Sequence, residues 1–391
     1  MNATRNLLAL VFVVAATLPG GRVAADFIFG PPENLGPAIN DADFDYWPRI
    51  SQDGLCLSFQ QQDVNSVVSL CMATRATKAD PWKAAVNLGA LTGLDVLPAL
   101  LKPFGDGLEI YFTWRGNGAD YDLWMMKRET TEAGWGPPVN LGPVVNSPAD
   151  EACPALSPNA LELYFSGIGY ADAYVRPGGY GSADLWVTRR ATRNDPWGAP
   201  VNLGPVVNSA KNDRRPYLSA DGLVLFFDSA RAGSSGLDLY LTRRTTVSDP
   251  WGPPINLGPV INSPAHEEYA CVSADGTTLY WDCARPGGYG SNDIWQASIT
   301  PIVDFNGDKK VDLVDLVMLI ENWGTSKTLY DIGPMPWGDD KVDIDDLKVF
   351  MTHWEKERPA DAKDGSGLDR AADFVGTWAS DDLNTSGQTR K

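Results

Sequence analysis

In the stretch DFNGDKKVDLVD, Asp304, Asn306, Asp308, Asp312 and Asp315 fall on positions 1, 3, 5, 9 and 12 of a twelve-residue loop, and Lys310 falls on position 7. Oxygen-bearing side chains at alternate positions converge when such a loop curls. A hard dication such as Ca2+ takes six to eight oxygens, one of them the position-7 backbone carbonyl. Lys309 stands at position 6, where glycine is expected, at a cost of about 1 kcal/mol. Further on, DIDDLKVFMTHW from Asp343 aligns without a gap on DLVDLVMLIENW from Asp312, 31 residues apart. The same offset puts Met335 and Trp337 at positions 1 and 3, which cannot ligate a hard cation. An insertion would let Asp331 reach in beside Asp339, Asp343 and Asp346.

Carboxylates also recur in the first 300 residues. Asp45, Asp95, Glu151, Asp213 and Glu267 each stand three residues before the proline or alanine of PRIS, PALL, PALS, PYLS and ACVS. Five acids around one ring would hold a cation or a polyhydroxylated ligand. The competing reading is that each accepts backbone N–H groups within its own repeat. A second column, Asp122, Asp184, Asp238 and Asp293, follows Arg115, Arg176, Arg231 and Arg285, and is read as arginine-paired turn caps. Blade one lacks both, with Ser69 at the aspartate position. Departures from repetition are candidates for binding: Tyr170 and Tyr174 in the insertion GIGYADAYV, and Trp47, Trp114, Arg214, Arg215 and His266. No catalytic residue is assigned. The two histidines lack a plausible serine or cysteine nucleophile nearby, and RPGGYG precedes a strand, whereas a phosphate cradle precedes a helix.

The elements that position these residues follow from an internal repeat. Asn-Leu-Gly recurs at Asn34, Asn87, Asn140, Asn202 and Asn256, at intervals of 53, 53, 62 and 54 residues. Each unit carries a short strand, a turn such as ADG, an alternating strand (LELYF, LVLFF), a glycine-rich loop, a third strand (DLWVTRR, DLYLTRR) and then the phrase WGPPVNLGPVVNS or a close copy. About fifty residues with four strand-like segments predict a propeller blade. FGPPENLG from Phe29 supplies a lone fourth strand and the last unit stops near Ile299, so the two ends are expected to complete one blade and close a ring of five over residues 26–300.

LSADGLVLFF…R…DLYLTRR and RPGGYGSNDIW resemble the propeller repeats of the TolB type, over some 270 residues. The loop-helix pair over residues 304 to about 355, with aspartate at position 12, resembles a dockerin type I module. That resemblance implies two Ca2+ ions, a small helical fold and docking to a cohesin-like receptor. Its apolar residues recur at helical spacing: Leu313, Leu316, Val317, Ile320 and Trp323, then Ile344, Leu347, Phe350, Met351 and Trp354. Five-bladed arabinanase-like and xylosidase-like glycoside hydrolases are similar in blade count, and Asp45, Asp95 and Glu151 would match their acids in type and order. The expected fold class is therefore mainly β: a five-bladed β-propeller followed by a small α-helical, dockerin-like module over residues 301–358, with a disordered tail over 359–391.

Residues 1–25 read as an export signal, with Arg5, an apolar run from Leu7 to Leu18 and small residues before Asp26. Removing them leaves 30 basic against 50 acidic residues. Nucleic acid is thereby excluded as a partner, and no membrane span is expected after cleavage. The expected location is extracellular or periplasmic. Cys56 and Cys71 are the preferred disulfide among five cysteines, with buried free thiols as the alternative. Three functions stay open: a propeller binding a carbohydrate or protein ligand, tethered by its C-terminal module; a glycoside hydrolase; and a structural envelope scaffold.

Overall fold

The computed structural model describes residues 27–90, 107–116, 120–168, 176–308, 310–327, 329–334, 336–339 and 341–357. The chain opens with β1 (Phe27–Phe29) and β2 (Glu33–Asn34). Blade 1 is β3 (Phe44–Ile50), β4 (Cys56–Gln62), β5 (Val68–Thr74) and β6 (Val86–Ala90). Blade 2 is β7 (Glu109–Trp114), β8 (Asp122–Lys127) and β9 (Val139–Asn140). Blade 3 is β10 (Asp150–Leu156), β11 (Glu162–Ile168), β12 (Asp184–Arg189) and β13 (Val201–Asn202). Blade 4 is β14 (Asp213–Leu218), β15 (Val224–Ser229), β16 (Asp238–Arg243) and β17 (Ile255–Asn256). Blade 5 is β18 (Glu267–Val272), β19 (Thr278–Cys283) and β20 (Asp293–Pro301). The segment expected to begin blade 2, including Asp95, lies outside the described residues, as do Tyr170, Tyr174 and residues 1–26.

Blade 5 is completed from the start of the chain. Phe27 pairs with Pro301, and Glu33 and Asn34 pair with Gln296 and Trp295, all antiparallel. Leu35 N donates to Ile294 O at 3.1 Å. The five-bladed ring expected from the repeat is the ring observed, and closure removes the exposed edges a sheet otherwise presents.

The repeated phrase works as a clamp. Asn140 Nδ2 donates to Asp122 Oδ2 at 2.7 Å, while its Oδ1 accepts from Gly142 N and from Asn146 Nδ2. Asn146 in turn brackets both backbone groups of Leu123. The same set recurs at Asn202 and Asn208, at Asn256 and Asn262, and across the ring closure at Asn34 and Asn40. A two-residue strand has little ladder of its own, so side-chain amides supply its attachment. Alternation in the second strands serves two neighbours at once. Leu163 and Phe165 pack with Tyr111 and Leu123 of blade 2, whereas Tyr164 packs with Leu225 and Phe227 of blade 4. Each such side chain, fully enclosed, contributes about 1.5–3 kcal/mol.

Two helices follow, α1 (Leu313–Glu321) and α2 (Ile344–Glu357). Asp312 caps α1 and Asp315 closes a reciprocal capping box. Leu319, Phe305, Val342 and Phe350 form their core. Leu313, Val314, Val317, Ile320 and Trp323 are 44–63% exposed: the helical spacing is realised, but most of the expected apolar face of α1 turns outward.

The expected Cys56–Cys71 bridge is not formed, and all five cysteines are buried free thiols. Register explains this. Cys56 lies opposite Thr74 and Cys71 opposite Phe59, an offset of three residues, or about 10 Å along the strand, beyond disulfide reach. Burial, then Asp45 and Asp41, push the Cys71 thiol up to about 12.

Candidate functional site

Each described innermost strand carries a bulge two residues after its conserved acid. Trp47, Cys153, Arg215 and Tyr269 there have φ of 60, 55, 56 and 53°, a left-handed conformation costing about 1–3 kcal/mol for a side-chain-bearing residue. The bulge turns its N–H toward the second strand of the preceding blade. Trp47 N donates to Asp282 Oδ1 (3.0 Å), Cys153 N to Thr113 Oγ1 (3.1 Å) and Arg215 N to Ser166 Oγ (2.8 Å). Among the described residues one backbone device thus turns four repeated positions toward the ring axis, and the residues filling them differ.

Blade 3 fills its positions with Ala152 and Cys153. Blades 4, 5 and 1 fill theirs with charge and rings. Arg215 Nη1 lies 3.0 Å from Asp228 Oδ2 and 2.8 Å from Glu268 Oε1, and Arg214 reaches both acids at 3.6 Å. The Arg215 guanidinium lies 4.1 Å from the Tyr269 ring, which stacks on Trp47 at 4.6 Å and 31°. Tyr46 and Phe44 extend this aromatic line outward, Phe44 being 39% exposed. The Arg49 guanidinium lies 5.9 Å from the Trp47 ring. Cation–π contacts of this kind strengthen as water is excluded.

Burial governs the protonation of the group. It pushes the Asp228 carboxyl above the usual range, the two arginines notwithstanding. Asp282 goes well above it through burial and then the Glu268 charge, with Trp47 N and Asn292 Nδ2 as its donors. Burial opposes the Arg215 charge, but Asp228, Tyr269 and Glu268 hold it protonated. Asp228 is sealed from solvent, whereas Glu268, Arg214 and Arg215 keep side-chain exposures of 20, 15 and 12%. The accessible chemistry is therefore one carboxylate, two guanidinium groups and an aromatic wall.

The sequence-predicted acids lie elsewhere. Asp45, Glu151, Asp213 and Glu267 are each 0% exposed. Asp45 accepts from Asp41 N and Gln61 Nε2; Glu151 accepts from Ser147 and from Arg176 Nη1 at 2.6 Å; Asp213 accepts from Ser209 N and Arg231 Nη2; Glu267 accepts from Ser263, Cys283 and Arg285. These oxygens serve the loops of their own blades, and they present no solvent-facing crown. The arginine pairing expected for the second column is corrected as well: Arg176, Arg231 and Arg285 meet the first column. Asp184 and Asp293 instead cap the N–H groups of Tyr180 and Gly181, and of Tyr289 and Gly290. A Cβ on Gly181 or Gly290 would strike the carbonyls of Lys211 or Asp43 in the next blade, so these loops need glycine where they interlock.

Of the symmetry-breaking residues, Trp47, Arg214 and Arg215 belong to the channel group. Trp114 packs on Trp124 at 4.7 Å, and His266 Nδ1 accepts from Leu237 N, a structural contact. Sequence reasoning missed Asp228, Glu268, Tyr269 and Asp282. A signal existed: the aligned fifth residues of the second strands are Gln60, Thr113, Ser166, Asp228 and Asp282, amide and hydroxyls giving way to carboxylates in the last two blades.

In the C-terminal segment, the two acidic loops have one plan. Asp315 Oδ1 accepts from Phe305 N and Asn306 N, and its Oδ2 from Asp312 N. Asp346 Oδ1 accepts from Ile332 N and Gly333 N, and its Oδ2 from Asp343 N. Asp331 thereby occupies the place of Asp304, and its Oδ1 accepts from Asp339 N at 2.8 Å. Asp304 Oδ1 accepts from Gly307 N and Asp308 N, and Asp308 Oδ1 from Lys310 N. Among the described residues no three acidic, histidine or cysteine side chains converge as a ready metal cluster; these carboxylates are turned to backbone N–H groups. As a set of hard oxygen donors on short loops they fit a cation of the calcium type.

The fold and channel define a five-bladed propeller with a charged, aromatic-walled axis. No family model matches the chain, and no curated protein matches it in sequence. Among solved structures it is similar to TolB from Agrobacterium tumefaciens, at 15% identity and TM-score 0.38 over 66% of this chain and 78% of that one. It is also similar to TolB from Acinetobacter baumannii (14%, TM-score 0.41, 72% of this chain and 65% of that one) and to a thermostable family-43 glycoside hydrolase (10%, TM-score 0.45, 69% and 92%). Likeness at this level transfers no residue's role. Among the described residues no helix is long and apolar enough to cross a membrane.

Proposed function

We propose that this chain is an exported propeller that binds a carbohydrate or protein ligand at the channel, tethered through a calcium-binding C-terminal segment. The observation that carries the reading is the broken symmetry of the bulge. A backbone device repeated in every described inner strand presents Ala152 and Cys153 in blade 3 but Arg214, Arg215, Glu268, Tyr269, Tyr46 and Trp47 in blades 4, 5 and 1. Repetition serves the fold, and an exception grouped on one side of an axis serves a ligand. Rings stack on sugar or aromatic faces, while the arginines and Glu268 bind hydroxyls or charge. A glycan and peptide array on the full chain tests this. Saturable binding lost in Arg214→Ala supports it, and a blank array overturns it.

Asp304, Asn306, Asp308, the Lys310 carbonyl, Asp312 and Asp315 would hold one Ca2+, and Asp331, Asp339, Asp343 and Asp346 a second. The outward apolar residues of α1 support docking to a cohesin-like receptor through residues 304–355. Glycoside hydrolysis is the second reading, resting on Glu268 as the one accessible carboxylate of the channel group, with Asp228 and Asp282 buried beside it. Product release from arabinan or xylan, abolished by Glu268→Gln, would establish it.

A further inference from the structure

Four third strands run out into an arginine with one repeated setting. Arg75, Arg128, Arg190 and Arg244 donate from Nε to the carbonyls of Gly54, Gly107, Ala160 and Gly222 at 2.7–2.9 Å. Each guanidinium lies 4.3–4.4 Å over a tryptophan, Trp82, Trp135, Trp197 or Trp251. Two constraints on a planar group fix where its outer edge points before any acid meets it. In two seams the preceding blade supplies that acid. Arg190 Nη2 meets Glu109 Oε2 at 2.6 Å, and Arg244 Nη2 meets Glu162 Oε2 at 2.8 Å.

The remaining seams vary the pair. Between blades 4 and 5 both members change together, to Val224 and Ile299, buried in one apolar cluster. Between blades 1 and 2 the acid's position is Cys56, a buried thiol. Where the ring closes, between blades 5 and 1, the arginine stays as Arg75 but the glutamate position is Thr278. A cavity of about 240 Å³ opens at that place, lined by Arg75, Lys78, Glu33, Asp275, Thr278 and Tyr280 among others, and Glu33 Oε2 accepts from Gln296 Nε2 at 3.2 Å. Asp275 is committed to Lys78, Ser273 and Thr277, and the Tyr280 hydroxyl meets Arg75.

We propose that this cavity is a binding site for a small organic carboxylate, which takes the place of the missing glutamate. The carboxylate oxygens meet the outer edge of Arg75, with the hydroxyls of Thr278 and Tyr280 beside them, in a seam distinct from the channel. Charge-assisted pairing to an already oriented guanidinium is the strongest recognition such a small site offers.

Isothermal titration of the full chain with acetate and with glucuronate, against glucose and sulfate, tests the proposal. Saturable binding of a carboxylate is expected, weakened at least tenfold in Arg75→Gln. Thr278→Glu should abolish it and raise the melting temperature by roughly 2 °C, because the acid is then internal. No saturable heat with either carboxylate, sulfate binding as tightly as they do, or unchanged binding in Thr278→Glu would each overturn it. Circular dichroism confirms that both variants fold.

Discussion

The indole nitrogen of Trp337 donates to Asp221 Oδ2 at 2.6 Å, which ties the second acidic loop to the turn before β15. The ring meets Phe27 and Phe226 edge-on at 6.2 and 6.4 Å and is 5% exposed. Trp337 stands between Asp331 and Asp339, in the residues by which the second loop exceeds the first. The insertion that spoils the simple ligand spacing is also what holds the segment against the ring, where the N-terminal strand is paired.

Trp337→Ala is expected to destabilise this junction by about 3–5 kcal/mol, the usual range for losing a buried aromatic. Calorimetry should resolve a C-terminal transition below that of the propeller, and limited proteolysis should cut between residues 301 and 358. A single unshifted transition would show that the contact does not couple the two parts.

Calcium at one hundred times its Kd adds about 2.7 kcal/mol to whichever part binds it. EDTA should therefore lower the melting of residues 301–358 in the native chain, and Asp304→Asn should reduce the difference. An identical scan with and without EDTA would remove calcium from the account.

Glu162→Gln leaves Arg244, 1% exposed at its side chain, without its charge partner and should cost about 3–5 kcal/mol in urea denaturation. Replacing both, Glu162→Val with Arg244→Ile, copies the native Val224 and Ile299 seam and should recover most of that loss. A double variant no better than the single would mean that the pair is worth more than its apolar substitute.

Asp45 carries a pH dependence of stability. Burial, partly offset by the Asp41 N–H, raises its carboxyl from 3.8 to about 7. The native state therefore holds this proton more tightly than the unfolded chain. The contribution is complete below about pH 4 and is lost as pH rises through 7. Asp45→Asn removes the titration. The native chain should lose on the order of 1–3 kcal/mol relative to the variant between pH 5 and 8, and parallel urea midpoints across that range would refute the assignment.

The ring was legible because its determinant is spacing: Asn-Leu-Gly at 53 or 54 residues, or 62 where the third unit carries an insertion, marks a clamp whose partners, Asp122 and Leu123 for example, sit at fixed offsets. Polarity was legible and direction was not. Glu151 and Asp184 each look able to receive Arg176, and only the path of the loop decides for Glu151. The channel group was half visible. Arg215 and Trp47 break a column, but Asp228 and Glu268 come from strands of different blades, and their meeting on one nitrogen depends on curvature around the ring. The disulfide expectation failed on register, a three-residue offset that strand composition does not encode.

Strand β20 (Asp293–Pro301) carries partners from both ends of the propeller: β19 on one side, β1 and β2 on the other. A ribosome makes β1 and β2 before every other strand and β20 after them, so the opening strands have nothing to pair with until the rest of the ring has been made. The final blade can form only once every residue between Asn34 and Asp293 has emerged. Closure of the ring is therefore governed by its last strand, and a chain truncated before Asp293 would leave two orphaned edges inside blade 5, on β19 and on the opening strands.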